Sequence, residues 1–510
     1  MVHGERSVGK LRSAFAFLAK SATDDASILT RLLPAASIVM KSALRLACWL
    51  CLNLAAGEFG RAATVGGMLA GNTVWSPAMN PVHLTNSVTV PGGATLTVQA
   101  GTLVRMTNGV SLAAQADATI DIAGTADNPV LVFPGAGTNA WGTINGSGNN
   151  SYVTIRHAEL ANGGINFGSR CTGLVEDSYV HDVRSAIGGS SARFVTLRRV
   201  HVKNYGSVEF NNGIVLLAED SLFEGMTAPD SDALEIQNGP PGSIIRRCTF
   251  RHSTGSNSDA VDCNGSTNVF VHDCLIYDFS DKGCSFGTAT AFNQPASVGM
   301  IVSNCLIYRV DTGLAVKDKS TASIYHDTLA DCTYGIRLYQ KYNPQTLDQG
   351  GHISLGWNNL IWGNGTDVLI ATNSRMTVTY SDIGGTNMPG TGNLNADPLF
   401  LNAVQADYRL APGSPALGAG KDSANLGAQF PVGAPMALSH PRIESATVNN
   451  GVVHVRFWAD SEKSYTLSAS DTVTGDTWRT ATNVPTRPLP VLVEYSAPAA
   501  AGGFFRLQTP

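Results

Sequence analysis

The sequence has little charge and few aromatic residues. Of its 510 residues, 14% are Asp, Glu, Lys or Arg and 7% are aromatic, with a formal net charge of −5. Average globular proteins carry roughly 25% charged residues. No long basic run occurs, so the electrostatic footprint needed to bind nucleic acid is missing. The low charge and the 53 glycines indicate an all-β repeat protein with many tight turns.

Apolar runs long enough to cross a membrane are also missing from the part expected to be mature. Residues 46–56 (LACWLCLNLAA) form the clearest apolar run, and a transmembrane helix needs ~20 residues. This run follows Met40, Lys41 and Arg45 and precedes small residues at 60–62, as in a bacterial export signal. We therefore expect translation from Met40, a signal within residues 40–63 and a protein that is secreted or held on the cell surface. A buried core helix is the alternative.

Cysteine pairs with metal-ligand spacing are absent outside that signal. Two of the nine cysteines, Cys48 and Cys51, lie within it, and no other CxxC pair occurs. A zinc ribbon is therefore not indicated. Three of the remaining cysteines, Cys248, Cys274 and Cys305, occupy one position of a repeat, and we expect them to stack as free, buried thiols.

That repeat combines two short strands. The first reads polar, polar, small, apolar, apolar, as in EDSLF at 219, RRCTF at 246 and HDCLI at 272. The second follows after ~10 residues, as in GIVL at 213, ALEI at 233 and AVDC at 260, and alternates with period two. A period of ~22 residues with two or three strands is typical of a parallel β-helix.

The ends of the repeat region resemble a known superfamily. Residues 75–135 and the segment ADPLFLNAVQADYRLAPGSPALGAG from 396 are similar to the first coils and closing segment of secreted, pectate-lyase-like right-handed parallel β-helices. We therefore expect an all-β chain: an N-terminal extension and signal over 1–63, a β-helix of about ten coils over 64–420, a linker over 421–438 and a small β-sandwich over 439–510. We expect a monomer.

Alternation within the second strand predicts which side chains face out. The inward positions are apolar, for example Leu234, Ile236, Val261 and Cys263. The outward positions form three columns across successive coils: Asn212, Asp232, Asp259, Lys282, Thr312 and Tyr334; Val215, Glu235, Asp262, Ser285, Ala315 and Arg337; and Leu217, Gln237, Asn264, Gly287, Lys317 and Tyr339.

Four carboxylates, Asp232, Glu235, Asp259 and Asp262, thus fall on two adjacent coils. Like charges at ~5 Å repel one another and need compensation. Clustered oxygen ligands suit Ca²⁺, so these four residues are candidate metal ligands. The alternative is a structural network in which basic residues neutralise them: Lys282, Arg246, Arg247 and Arg251.

An acidic, metal-capable patch beside Lys and Arg suits the cleavage of a uronate polysaccharide. A cation on the substrate carboxylate stabilises the enolate formed when the C5 proton leaves. Lys317 is the candidate base and Arg337 the candidate charge stabiliser. Lys282, Tyr334, Tyr339 and Lys341 would bind the substrate. The alternative is that Lys317 and Arg337 form ordinary surface ion pairs with Asp311, Asp318 or Asp327.

The stretch LAVKDKSTASIYHDTLADC (314–332) resembles the coil that carries the base lysine in family-six polysaccharide lyases, which include chondroitinase B and alginate lyases. The resemblance implies that Lys317 or Lys319 is the base and that Arg337 is the arginine of the next coil. Gly313 stands where that family has a glutamate ligand for calcium, and Arg337 is offset by about two residues.

Several functions stay open from the sequence. Elimination and epimerisation begin with the same proton abstraction, and the preferred acidic polysaccharide is not defined. A glycoside hydrolase with paired carboxylates is an alternative, and so is a non-catalytic carbohydrate-binding or cell-surface protein.

Overall fold

The computed structural model describes residues 62–125, 128–288, 294–342, 349–434 and, in the C-terminal module, 443–449, 451–459, 464–470, 478–485, 491–498 and 504–508. The expected export signal lies outside these residues, apart from its last two. The described residues form β-strands, turns and three short 3-10 helices, Pro77–Met79, Ala403–Gln405 and Lys421–Ser423. None of these helices is long and apolar enough to cross a membrane.

Two long parallel sheets run along the chain from residue 63 to 383. The first has thirteen strands, one per coil. Its members, numbered in chain order, are β2 (Thr73–Trp75), β4 (Thr95–Gln99), β7 (Thr119–Ala123), β10 (Tyr152–Arg156), β13 (Thr172–Glu176), β15 (Phe194–Arg198), β17 (Val215–Glu219), β20 (Ile244–Arg246), β23 (Phe270–His272), β25 (Met300–Ser303), β27 (Thr321–Tyr325), β30 (His352–Trp357) and β33 (Arg375–Met376).

The second sheet has 21 strands. They are β1 (Ala63–Met68), β3 (Val82–Val90), β5 (Leu103–Met106), β6 (Leu112–Ala114), β8 (Val130–Pro134), β9 (Thr143–Gly146), β11 (Ala158–Ala161), β12 (Gly164–Phe167), β14 (Tyr179–Ser190), β16 (His201–Asn211), β18 (Leu222–Glu224), β19 (Leu234–Gln237), β21 (Thr249–Arg251), β22 (Val261–Asn264), β24 (Leu275–Gly287), β26 (Leu306–Lys317), β28 (Thr328–Ala330), β29 (Tyr334–Tyr339), β31 (Leu360–Trp362), β32 (Thr366–Ile370) and β34 (Asp382–Ile383).

The solenoid is held together by side chains at the inward positions of its strands. Leu234, Ile236, Val261 and Cys263 are all fully buried, as the alternation predicted. They belong to a single core cluster that extends from Trp75 to Ile383, so each coil buries its apolar side against its neighbours. The fold class is confirmed, but the thirteen strands of the first sheet indicate about thirteen coils rather than about ten.

The predicted stack of thiols is present. Cys248, Cys274 and Cys305 are free and buried, and each directly precedes a strand of the second sheet. The Cys274 Sγ lies 3.3 Å from the carbonyl oxygen of His272, two residues earlier. In other coils the same position holds serine, and the Ser221 Oγ donates to the Glu219 carbonyl at 2.8 Å and accepts from the Val200 N–H at 3.0 Å.

We therefore expect serine to replace Cys274 at little cost, because its hydroxyl would lie beside the His272 carbonyl as the Ser221 hydroxyl lies beside that of Glu219. Cys284 lies instead between Val261 and Leu314 in the core, where a hydroxyl would have apolar neighbours. We predict that Cys274→Ser changes the free energy of unfolding by less than about 1 kcal/mol, and that Cys284→Ser lowers it by about 1–3 kcal/mol. Denaturant unfolding of the two variants measures this, and equal losses would contradict it.

The segment that composition assigned to a linker packs against the solenoid. Residues 426–434, here called the strap, run back along the coils. The strap donates from Ala428 N to Thr328 Oγ1 at 2.9 Å and from Ala434 N to Thr249 Oγ1 at 2.9 Å. Its apolar side chains cover Tyr277 and Tyr308. The two short strands that precede the strap in the chain, β35 (Phe400–Asn402) and β36 (Asp407–Leu410), form an antiparallel pair.

Two three-stranded antiparallel sheets follow. One contains β37 (Ile443–Asn449), β38 (Val452–Ala459) and β41 (Val491–Pro498), and the other contains β39 (Tyr465–Ser470), β40 (Arg479–Val484) and β42 (Phe504–Gln508). Buried residues of both sheets, among them Phe457 and Leu467, share one core cluster. This is the antiparallel module expected after the β-helix.

Candidate functional site

The outward columns of the second sheet align largely as the alternation predicted. Asp262 pairs in register with Glu235 on one side and with Ser285 on the other. The column continues through Ala315 to Arg337. Because parallel strands lie about 4.8 Å apart, these outward side chains form a continuous wall across neighbouring coils.

For one coil, the residues predicted to belong to this wall were wrong. Val215 and Leu217 lie in β17, which belongs to the thirteen-stranded sheet, and Asn212 lies in the turn before that strand. The coil's real contribution to the wall comes from the end of β16, where Glu209 pairs with Glu235 and Asn211 with Gln237. The sequence did carry this signal, because Val208 and Phe210 alternate with Glu209, but no Gly or Ala begins that half-strand.

Three of the four predicted metal ligands come together. Asp232, Glu235 and Asp262 can each place one carboxylate oxygen within 4.8 Å of the others. Asp262 is only 5% exposed, and its Oδ1 has no hydrogen-bond partner among the described residues. Its other oxygen accepts from the side-chain amide of Asn264. A buried carboxylate oxygen without a donor is costly, and a cation between these three groups would satisfy it.

Asp259, the fourth predicted ligand, serves different partners. Its Oδ1 accepts from the backbone N–H of Lys282 at 3.0 Å and lies 3.2 Å from the Lys282 Nζ. Its own N–H donates to Asp232 Oδ1 at 2.9 Å. Lys282 also binds the carboxylate of Asp281. Asp259 therefore links the carboxylate cluster to Lys282 and is not part of the three-residue set.

The three arginines considered as compensating charges bind other acids. Arg246 and Arg247 make ion pairs with Glu219 at 2.5 and 3.4 Å, and the buried Arg251 pairs with Glu224 at 2.7 Å. Of the four basic residues that the sequence offered as a neutralising network, Lys282 still contacts one of the four carboxylates, that of Asp259. Lys282 is shared between Asp259 and Asp281, so it does not pair with Asp232, Glu235 or Asp262.

Burial and mutual repulsion raise the pKa values of Asp232, Glu235 and Asp259. Burial, reinforced by the charge of Asp262, raises the pKa of Glu235 to about 7. The same two causes raise the pKa of Asp232 well above its ordinary value, and they also raise the pKa of Asp259. Without a cation, Asp232 and Glu235 are consequently protonated to a large extent near neutral pH.

Lys317 folds back towards this cluster. It is only 5% exposed, and its Nζ donates to Ser285 Oγ on the preceding coil at 2.8 Å. The lysine crosses Gly287, where an added Cβ would lie 2.9 Å from the Lys317 Cε. Burial lowers the pKa of Lys317, but the carboxylates of Asp262 and Asp259 outweigh that effect and raise it. Lys317 lies at an outward position of the strand, as predicted, but its side chain is almost fully buried.

Arg337 lies on the next coil between two tyrosines. Its guanidinium carbon is 5.2 Å from the ring centre of Tyr334 and 4.6 Å from that of Tyr339. Tyr339 pairs in register with Lys317, so Arg337 is displaced from Lys317 by two residues along the strand. Lys341 follows directly, with its Nζ 5.3 Å from the ring centre of Tyr342.

The sequence left open that Lys317 and Arg337 form surface ion pairs with Asp311, Asp318 or Asp327. The described residues show no such ion pair. Asp318 accepts from the backbone N–H groups of Lys341 and Tyr342 at 2.6 and 3.1 Å. Asp327 is buried and accepts from the N–H of Cys305 at 2.9 Å. Lys317 and Arg337 are therefore not explained by pairing with these acids.

Comparison with known proteins supports the fold. Residues 185–349 match the family described as the right handed beta helix region. This chain contains a right-handed parallel β-helix. The match and the thirteen parallel coils agree with the resemblance to the pectate-lyase-like superfamily. No curated protein matches the chain.

Solved structures with detectable similarity include three carbohydrate-related β-structures. The periplasmic alginate epimerase AlgG is 12% identical, with 62% of this chain and 76% of that chain covered and a TM-score of 0.37. Pectate lyase Pel9A is 12% identical over 71% and 97%, with a TM-score of 0.30. A tailspike protein of E. coli bacteriophage HK620, solved with a hexasaccharide, is 12% identical over 83% and 85%, with a TM-score of 0.24. None of these similarities assigns an activity to this chain.

The raised carboxyl pKa values give a pH-dependent prediction. A folded-state pKa above the unfolded value means that, without a cation, the cluster costs stability increasingly as pH rises from about 4 to about 7. A cation site at this cluster needs the ionised carboxylates, and such a site predicts that Ca²⁺ raises the melting temperature more at about pH 8 than at about pH 5. Thermal unfolding with EDTA and with Ca²⁺ at both pH values measures this. An equal shift at the two pH values would contradict it.

Proposed function

We propose that this β-helix processes an acidic, uronate-containing polysaccharide by abstracting the C5 proton of a uronic acid. One observation carries the proposal: a covered lysine, Lys317, reaches back to a cluster of three carboxylates that has an unpartnered buried oxygen. A base and a cation site on the same outward-facing columns are what the reaction needs, because abstraction places negative charge on the substrate carboxylate.

Asp232, Glu235 and Asp262 would hold the cation, for which Ca²⁺ is our proposal because all three ligands are hard oxygens. When bound, the cation supplies positive charge next to the substrate carboxylate. Lys317 would accept the C5 proton in its neutral form, which requires that the carboxylates raising its pKa be offset by the cation, and Ser285 would orient its amine. Arg337 stabilises negative charge on the substrate, while Tyr334, Tyr339, Lys282 and Lys341 line the wall around it.

Two outcomes share this first step. In elimination, the C5 electron pair forms a C4–C5 double bond as the C4–O bond breaks, and the leaving glycosidic oxygen takes a proton to become a hydroxyl. In epimerisation, a second acid donates a proton to the opposite face of C5, while Lys317 keeps the proton that it removed. Both are consistent with the position of Arg337 beside the tyrosines, and the products distinguish them.

The test is a screen of acidic polysaccharides with and without chelator. Ultraviolet absorbance detects the unsaturated sugar of a lyase, and NMR detects epimerised sugar. We expect one of the two signals and its loss with chelator. Binding without either signal would favour a carbohydrate-binding protein instead, and shortened chains without unsaturation would favour a hydrolase.

We also propose that the chain is exported, on the evidence of the apolar run at 46–56 and its basic start. N-terminal sequencing of secreted protein should find a start near residue 63. A secreted protein that begins at residue 1 would refute this proposal.

A further inference from the structure

The thirteen-stranded sheet carries an apolar stripe on its outer face. Alternation directs Val175, Leu197 and Val271 into the core, and it leaves the residues between the buried ones facing out. In six successive strands, β13 to β25, the middle outward residues align in register and all but one are apolar: Leu174, Thr196, Leu217, Ile244, Phe270 and Ile301. The five apolar residues of this set, here called the stripe, are partly exposed. Tyr152 and Phe194 beside it are 47% and 37% exposed, so a continuous apolar surface faces solvent.

A ladder of alternating charge borders the stripe on one side. Four successive strands end in a charged residue, and the turn residue after each strand repeats its sign: Glu176 and Asp177, Arg198 and Arg199, Glu219 and Asp220, Arg246 and Arg247. Ion pairs join neighbouring coils, as between Arg199 and Asp177 at 2.6 Å and between Arg247 and Asp220 at 2.6 Å. The acids and bases of this ladder cancel, so it favours neither a polyanion nor a polycation. A partner with the same alternation in opposite phase would match it.

A second copy of this chain offers that match. When two copies face each other across a two-fold axis that lies along the strands, their solenoids run antiparallel and each column faces itself with the coil order reversed. With the axis between β17 and β20, Glu219 faces Arg246 of the second copy, and Asp220 faces Arg247. A two-fold axis along the solenoid would keep the coil order instead. The ladder would then face either itself, with like charges opposed, or the uncharged border on the other side of the stripe.

That uncharged border is complementary in size under the antiparallel arrangement. Its outward residues, two positions before the stripe in each strand, are larger on the N-terminal coils and smaller on the C-terminal ones: Tyr152, Thr172, Phe194 and Val215, then Gly242, Asn268, Gly299 and Thr321. Reversal of the coil order brings Val215 opposite Gly242 and Tyr152 opposite Thr321. In the stripe it brings Leu217 opposite Ile244, so apolar side chains meet at the centre.

The face is large enough for a weak dimer. The eight strands from β10 to β27 rise ~34 Å along the solenoid, and five residues of a strand span ~13 Å, so each copy offers about 450 Å² of flat surface. Specific interfaces bury about 800 Å² of accessible surface per partner, and smaller ones are weak or transient. The expected dissociation constant is therefore on the order of micromolar.

We propose that the chain forms a weak antiparallel homodimer through the outer face of the thirteen-stranded sheet, with the stripe buried at the centre and the two charge ladders paired beside it. The dimer departs from the monomer expected from the sequence. It does not depend on the proposed function, because Lys317 and the carboxylate cluster lie on the other long sheet.

The experiment measures self-association of the full chain by sedimentation velocity, from about 0.5 to about 100 µM. Leu217→Glu and Ile244→Lys are studied singly and as an equimolar mixture. We expect each single variant to self-associate at least about 10-fold more weakly than the wild type, because two charges then face apolar side chains. The mixture should recover to within a few-fold of the wild type, since one Glu–Lys pair and one Leu–Ile pair then form across the interface.

Val74→Glu is the matched control. Val74 belongs to the same outward column and is 53% exposed, but it lies on β2, which faces no strand of the second copy in this arrangement. Its substitution should leave the dissociation constant unchanged. Thermal unfolding of every variant at low concentration checks that the solenoid is intact.

Three outcomes would overturn the dimer as proposed. A wild type that stays monomeric at about 100 µM would do so, and binding of that monomer to phosphatidylcholine vesicles, lost in Leu217→Glu, would assign the stripe to lipid instead. Single variants that associate like the wild type would place the interface on another surface. Two weakened variants whose mixture stays monomeric would exclude the antiparallel arrangement, because a two-fold axis along the solenoid through the stripe puts each residue opposite its own copy and predicts no rescue.

Discussion

Replacing Lys317 by alanine is expected to reduce turnover at least 10²–10³-fold, the loss typical when one well-placed transition-state interaction is removed. The amine lies 2.8 Å from Ser285 Oγ. No other lysine among the described residues donates to Ser285. Initial rates on the substrate identified by the screen measure the effect. Full activity in Lys317→Ala would show that the base lies elsewhere, even with the fold unchanged.

Removing a covered positive charge beside carboxylates can itself disturb the fold, so a second variant is needed. Lys317→Arg keeps the charge, but a guanidinium does not give up its proton at accessible pH and cannot act as the base. We expect Lys317→Arg to melt near the wild-type temperature and still to be inactive. Activity restored by arginine would mean that Lys317 only compensates charge.

Lys319 is the matched control for Lys317→Ala. It is the other lysine in the resemblance to family-six lyases, but it lies in the turn after β26, where its backbone N–H donates to Gln349 O at 3.1 Å. We expect Lys319→Ala to keep most of the activity. A large loss in Lys319→Ala with none in Lys317→Ala would reverse the assignment.

The solenoid was predictable because its signal is repeated. Each coil buries one strip of apolar side chains, and residues such as Val261 and Cys263 show it with period two. The number of coils was less accessible, because early strands of the second sheet, such as β5 after Ala100-Gly101-Thr102, lack the polar–polar–small start that marked the later repeats. The packing of the strap was also hidden: residues rich in Gly and Pro suggest a linker, and their contacts are with coils more than a hundred residues away, for example Gln429 with Asn304.

At the site, the sequence predicts which outward residues align from coil to coil, but not which side chains contact one another. Alternation alone placed Glu235, Asp262, Ser285 and Arg337 on one column. It could not show that Asp259 is taken by Lys282, since that depends on side-chain rotamers. Nor could it show that Lys317 bends back over the preceding coil, which happens because Gly287 leaves the space open.

The proposed cation site gives the second large expected effect. Asp262→Asn removes one of three charged ligands, and it is the ligand whose Oδ1 is buried without a partner. We expect the affinity for Ca²⁺ to fall by at least about 10²-fold, a loss at the upper end of what supporting residues of metal sites cause. Turnover at low Ca²⁺ should fall with it and partly recover in excess cation. Calorimetric titration and rates at two Ca²⁺ concentrations measure the two effects.

Asp281→Asn is the matched control for Asp262→Asn, since it removes a carboxylate from the same wall whose partner is Lys282. Because Asp281 is not one of the three clustered groups, its loss should leave the Ca²⁺ affinity within a few-fold of the wild type. The two variants differ in position but not in charge, so a general electrostatic effect would weaken both alike. Equal affinities in wild type and Asp262→Asn would show that the cluster does not hold the cation, and Lys317 would then act without one.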